Sequence, residues 1–108
     1  PVTSSSKPTP KNEINSNFLG DWQGALGGGH IDATVTKSTC TVVMPNGETM
    51  SGSVILTTDP EKINFNTKNS AGTYSWTFRL SSDNKDVIFV DFTDNTTGDY
   101  YRGDLFRD

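Results

Sequence analysis

The chain has 108 residues, enough for one domain, with a net charge of −4 and only 23 Leu, Ile, Val and Phe from which to build a core. No Lys/Arg cluster could track a phosphate backbone, which argues against nucleic acid, and no apolar stretch reaches the roughly 18 residues a membrane-spanning helix needs. Fifteen Thr, eleven Ser and ten Gly, against three Ala, five Leu, three Glu and one Gln, favour short strands and many turns over helices.

The first 17 residues are rich in Pro, Ser, Thr and Lys and offer little to bury; they read as a flexible, semi-extended stalk ahead of a domain over 18–108. Ile14 and Phe18 are four apart, so a single helical or 3₁₀ turn would place both on one face and cap the end of a sheet or barrel. From Phe18 onward apolar residues alternate in short runs broken by turn residues. Eight strands are expected, near 20–26, 30–36, 39–44, 48–57, 61–66, 73–80, 86–92 and 99–107.

Parity tests that reading, because a slip of one residue turns every side chain to the other face. Leu26 opposite Ile31 leaves a four-residue loop, Gly27-Gly28-Gly29-His30, with His30 in the hairpin tip. Val35 opposite Cys40 leaves the tight turn Lys37-Ser38. Pro45-Asn46-Gly47 is a three-residue loop with Pro at its favoured first turn position and Gly at the left-handed one, which sets Val42 opposite Met50 and Cys40 opposite Gly52. Leu56 then meets Ile63, Phe65 meets Tyr74 across a loop from Thr67 to Gly72, Phe78 meets Val90, and Phe92 meets Tyr101. Seven hairpins with one apolar face describe an all-β, antiparallel up-and-down meander. Such a meander hides its face best by closing into a small barrel; a two-sheet β-sandwich is the alternative.

Gly20-Asp21-Trp22 opens the first strand and Arg107 ends the last. This pattern resembles the lipocalin or calycin signature, in which a Gly-x-Trp begins the first strand and an Arg from the last packs across the Trp to close the barrel base. The resemblance implies that Gly20, Trp22 and Arg107 form that closing motif, with the outward-facing Arg102 as the alternative partner. A Ser/Thr/Pro stalk followed by a short barrel also resembles small surface lipoproteins of Gram-positive bacteria. That resemblance implies an extracytoplasmic protein at a bacterial cell surface, held to the membrane only by a lipid anchor upstream of Pro1.

An eight-stranded barrel is nearly filled by its own side chains, so a packed interior is expected. A small apolar ligand, where one binds, is expected between Tyr74, Trp76 and Tyr101, where polar handles meet aromatic walls. On the outer face of the last hairpin, Val87, Phe89 and Phe106 gather beside an Asp91–Arg102 pair. They are either covered by the stalk or the Ile14–Phe18 turn, or used for a partner or for self-association. Cys40 reads as a small buried hydrophobe and His30 as an exposed loop residue. The run from Asp91 to Asp99 lacks the spacing of a calcium loop. No catalytic set, metal-ligand set or cofactor motif is expected. The function expected is a non-enzymatic, lipocalin-like binding or accessory module. The alternative is a protein–protein interaction module, such as a protease inhibitor or host-factor binder, working through its outer strands or loops.

Overall fold

The computed structural model describes residues 13–108; the part of the stalk expected over residues 1–12 lies outside them. A single 3₁₀ turn, Ser16–Phe18, leads into nine strands: Gly20–Leu26 (β1), Gly29–Val35 (β2), Thr39–Val43 (β3), Thr49–Ser53 (β4), Ile55–Leu56 (β5), Lys62–Asn69 (β6), Gly72–Leu80 (β7), Val87–Asp94 (β8) and Tyr100–Arg107 (β9). They form one antiparallel sheet in the order β4-β3-β2-β1-β9-β8-β7-β6-β5. The two edges of that sheet are consecutive in the chain. The sheet therefore curls into a nearly closed barrel, and not into two stacked sheets.

Nine strands replace the eight expected because the fourth breaks at Val54. Its first half pairs with β3 and its second half with β6. Val54 donates its N–H to the Ser38 carbonyl (2.8 Å), which bends the chain from one edge towards the other. Beside the bend β4 lies against β6 with no hydrogen-bonded ladder between them. A side chain at position 52 would collide with the Asn66 carbonyl oxygen, so glycine lets the two strands touch there.

Five expected hairpin pairings hold residue for residue: Val35 with Cys40, Val42 with Met50, Leu56 with Ile63, Phe78 with Val90 and Phe92 with Tyr101. Two others are shifted by two residues. Leu26 faces Gly29, not Ile31, through a two-residue turn in which Gly27 (φ 57°) and Gly28 (φ 88°) both take left-handed values. That turn type matches the twist of the strands, and it moves His30 from the hairpin tip into β2. Phe65 faces Trp76, not Tyr74, because β6 runs on through Thr67 to Asn69 and turns at Ser70-Ala71. Thr67 is buried and accepts a hydrogen bond from the Trp76 indole N–H (2.9 Å), so a residue with the look of a loop position serves the core. Both shifts are even, so the inward set survives them.

The core runs the length of the barrel. Phe65 stacks on Trp76 (5.4 Å, 6°) and meets Phe78 edge to face (5.0 Å, 87°). One end is plugged by the 3₁₀ turn: Phe18 and Ile14 are buried in the core, so the packed body starts ahead of the boundary expected at residue 18. Trp22, fully buried beside them, donates its indole N–H to the Phe18 carbonyl (2.9 Å). Arg107 sits opposite Trp22 in the β1–β9 ladder, with its guanidinium carbon 4.2 Å from the centre of the Trp22 ring. Its N–H groups donate to the carbonyls of Leu19 (2.9 Å), Asn17 (2.8 Å) and Lys85 (3.3 Å) and to the Asp86 carboxylate (2.9 Å). Arg102 instead faces outward, against Asp91.

A lysine offers one point charge where Arg107 uses a fork of donors on several acceptors. Arg107→Lys is expected to lower unfolding free energy by about 1.5–3 kcal/mol, the range for a hydrogen bond involving a charged group. Urea melts of the two proteins check this; an unchanged midpoint would show that the closing motif carries no stability.

Candidate ligand site at the open end of the barrel

The strand directions place four turns at the end opposite Trp22: Gly27-Gly28, Pro45-Asn46-Gly47, Ser70-Ala71 and the β8–β9 turn from Asn95 to Asp99. They pack on one another. Pro45 lies over Gly29, Thr96 lies over Gly72, and the Asn95 N–H donates to the Thr73 carbonyl (3.0 Å). Between the β3–β4 and β6–β7 turns, at the top of the unladdered β4–β6 seam, is an open groove of about 520 Å³. Met44, Pro45 and Met50 form one wall; Asn69, Ser70, Ala71 and Tyr74 form the other.

Local chemistry explains each wall. Pro45-Asn46-Gly47 forms the three-residue loop anticipated from sequence, with Gly47 at φ 88° and the Gly47 N–H donating to the Met44 carbonyl (2.8 Å). The Met44 N–H donates to the Glu48 carbonyl (2.7 Å), which aims both side chains at the groove. On the facing turn, the Asn69 side-chain oxygen accepts from the N–H of Ala71 (2.9 Å), the N–H of Gly72 (3.2 Å) and the Tyr74 hydroxyl (3.2 Å). The Asn69 amide nitrogen then donates across the seam to Glu48 Oε1 (2.9 Å). One side-chain hydrogen bond thus bridges the seam at the point where no backbone ladder does.

The three residues expected to line a pocket sit towards this end, but they do not line the groove together. Tyr74 stacks on Phe92 (5.4 Å) and Phe92 on Tyr101 (6.1 Å), making an aromatic row across β7, β8 and β9. Trp76 is fully buried one layer below, 4.5 Å from Phe92. Tyr101, expected inward, is 41% exposed because its position is at the rim, where the inward direction opens to solvent above Gly27. Of the three, only Tyr74 lines the groove. Glu48, Asn69, Met44 and Met50 are groove residues that sequence reasoning did not single out. The Pro-Asn-Gly turn was the available signal, since it fixes which side chains stand at the rim.

The outer face of the last hairpin has the expected register, with Val87 opposite Phe106, Phe89 opposite Asp104 and Asp91 opposite Arg102. Phe89 and Phe106 are 41% and 46% exposed, while Val87 is half-buried. Asp91 accepts from Arg79 (3.3 Å), Arg102 (3.2 Å) and the Tyr100 hydroxyl (2.6 Å). The 3₁₀ turn does not cover these phenylalanines, since Phe18 is committed to the core.

His30 lies 3.4 Å from Asp32 on an exposed surface. Asp94 is engaged by the N–H groups of Thr96 and Thr97. Among the described residues, no group of three or more His, Cys, Asp or Glu is placed to hold a metal ion. Cys40 is fully buried, and burial pushes its thiol pKa up to about 12.

No protein-family model and no curated protein matches the chain. Among solved structures it is similar to a de novo designed fluorescence-activating beta barrel, with 21% identity and a TM-score of 0.52, covering 86% of this chain and 95% of that one. The likeness is one of fold: a small antiparallel barrel.

A thiol is the reactive form only when ionised, so the neutral, buried Cys40 is expected to resist an aromatic disulfide reagent in mildly alkaline buffer. Its labelling should rise along the same urea curve as the loss of Trp fluorescence. Fast labelling of the native protein would show that β3 opens locally.

Proposed function

We propose that this protein is a non-enzymatic, lipocalin-like binding barrel, displayed outside the cytoplasm at a bacterial cell surface, that takes a small amphipathic ligand at its open mouth. The observation that carries the reading is the contrast between a packed interior and a groove at the mouth. Aromatic rings fill the barrel axis, whereas Met44, Met50 and Tyr74 bring apolar surface to an opening that also holds Asn46, Glu48 and Asn69. Convergent polar groups on an apolar wall are what orient a small ligand. The Gly20-x-Trp22 opening under Arg107 supports the lipocalin comparison. The Ser/Thr/Pro-rich segment at the start of the chain supports display on a stalk, with a lipid anchor upstream.

Titration with the neutral dye N-phenyl-1-naphthylamine tests the site. Its fluorescence is expected to rise on binding, and Ala71→Trp, an exposed position on the groove wall, should block the rise without lowering the melting temperature. Binding that survives this plug would place the ligand elsewhere.

A second reading is favoured by the exposed Phe89 and Phe106: self-association through the outer face of β8 and β9. Its occupant is a second copy of this chain, because the patch carries both signs, Arg79 and Arg102 beside Asp91 and Asp104. A twofold axis can set each sign against its opposite. Sedimentation velocity should then show a dimer that Phe89→Ser with Phe106→Ser converts to a folded monomer. A wild-type monomer at high concentration would remove this reading.

A further inference from the structure

We propose that the mouth groove selects an organic cation with a flat apolar body, a refinement that rests on the mouth being the ligand site. Glu48 is the one charged side chain among the residues lining the groove. Its Oε1 is held by Asn69, and its carboxylate has no ion-pair partner among the described residues. The holder is itself fixed, since the Asn69 oxygen accepts from two backbone N–H groups and the Tyr74 hydroxyl. Glu48 is half-buried, and the Asn69 hydrogen bond orients its carboxylate beside the groove with the second oxygen left as an acceptor.

The walls define the rest of the ligand. Met44 offers polarisable, adaptable surface that packs well on a planar ring, above the buried Met50 at the floor of the groove. Tyr74 gives an aromatic edge, with one face of its ring already stacked on Phe92. The groove thus accepts a plate laid between methionine and tyrosine, with a positive group directed at Glu48. An anion would meet the Glu48 carboxylate unfavourably, and the net charge of −4 adds to that bias. A neutral plate would bind by its apolar contacts alone.

Three fluorescent probes of similar apolar bulk test this on the whole chain: cationic thioflavin T, neutral N-phenyl-1-naphthylamine and anionic 8-anilinonaphthalene-1-sulfonate. The cation is expected to bind best and the anion worst. Glu48→Gln keeps an acceptor for Asn69 and removes the charge, so it should weaken thioflavin T about tenfold, a change of about 1.4 kcal/mol, and weaken the neutral probe far less. Ser70→Lys adds a compensating charge to the opposite wall without touching the Glu48–Asn69 bond, and should have the same selective effect if Glu48→Gln disturbs the fold. Added salt should weaken the cation alone. If the neutral probe binds, Ala71→Trp blocks it, and thioflavin T shows no preference or ignores both charge changes, the cation proposal is overturned and the mouth site stands. If no probe responds to Ala71→Trp, both are overturned.

Discussion

The Arg107 guanidinium over the Trp22 ring is the contact on which closure depends. A meander has two loose ends, and a barrel exists only if the last strand returns to the first. Here the β1–β9 ladder makes that return, and Arg107 extends it beyond the ladder's end by reaching the carbonyls of Asn17, Leu19 and Lys85. These carbonyls belong to the 3₁₀ turn, the entry to β1 and the β7–β8 loop. None has a strand partner, so without the guanidinium each would need water at the edge of a buried tryptophan. The cation also finds the electron-rich face of an indole whose N–H is spent on Phe18. One side chain therefore satisfies backbone acceptors, covers a large aromatic and fixes the plug formed by Ile14 and Phe18.

The opposite end has no such clamp, and its character follows from that difference. The fourth strand of the meander must serve both edges of the sheet, which it does by bending at Val54. The bend leaves β4 and β6 in contact at Gly52 and Asn66 but without a ladder, and above that contact the two strands are joined by the Glu48–Asn69 hydrogen bond. The groove lies at this place because the sheet is unable to continue there. Fold and site are linked through a topological necessity: a barrel with a broken strand has a seam, and the seam reaches the surface where the turns are.

Much of this was legible from alternation alone. Trp22, Val42, Met50, Phe65, Phe78 and Leu105 are buried as their parity requires. Both register errors, at Leu26 and at Phe65, came from reading polar or glycine-rich stretches as loops when they were strand ends on tight turns. An even shift leaves every side chain on its face, so the core was insensitive to the error. Loop tips were not. Shortening two hairpin loops changed which residues stand at the rim, and the rim is the candidate site. Nothing local marks Glu48 and Asn69 as neighbours, because the bend at Val54 brings them together across the seam. Thr67 was missed for a related reason: its burial depends on the indole N–H of Trp76, a partner on another strand.

The size of the barrel also determines where a ligand can bind. Hollowing its interior for a small molecule would mean a cavity of about 300 Å³ at the lower end of the usual range, costing about 7 kcal/mol at ~24 cal/mol per Å³. That is comparable to the whole stability of an ordinary domain, about 5–15 kcal/mol. A chain with 23 Leu, Ile, Val and Phe has little surplus to set against such a loss. Filling the axis with Trp22, Phe65, Trp76 and Phe78 avoids it, but removes the interior as a binding place. Any ligand would then have to use surface that folding does not need. The mouth supplies such surface, because side chains at the rim keep the inward direction of the barrel while the sheet around them has ended. Met44, Tyr74 and Tyr101 point as core residues do, yet they are incompletely covered by the rest of the chain. A ligand laid there would extend the apolar core by one layer, with Glu48 at its margin.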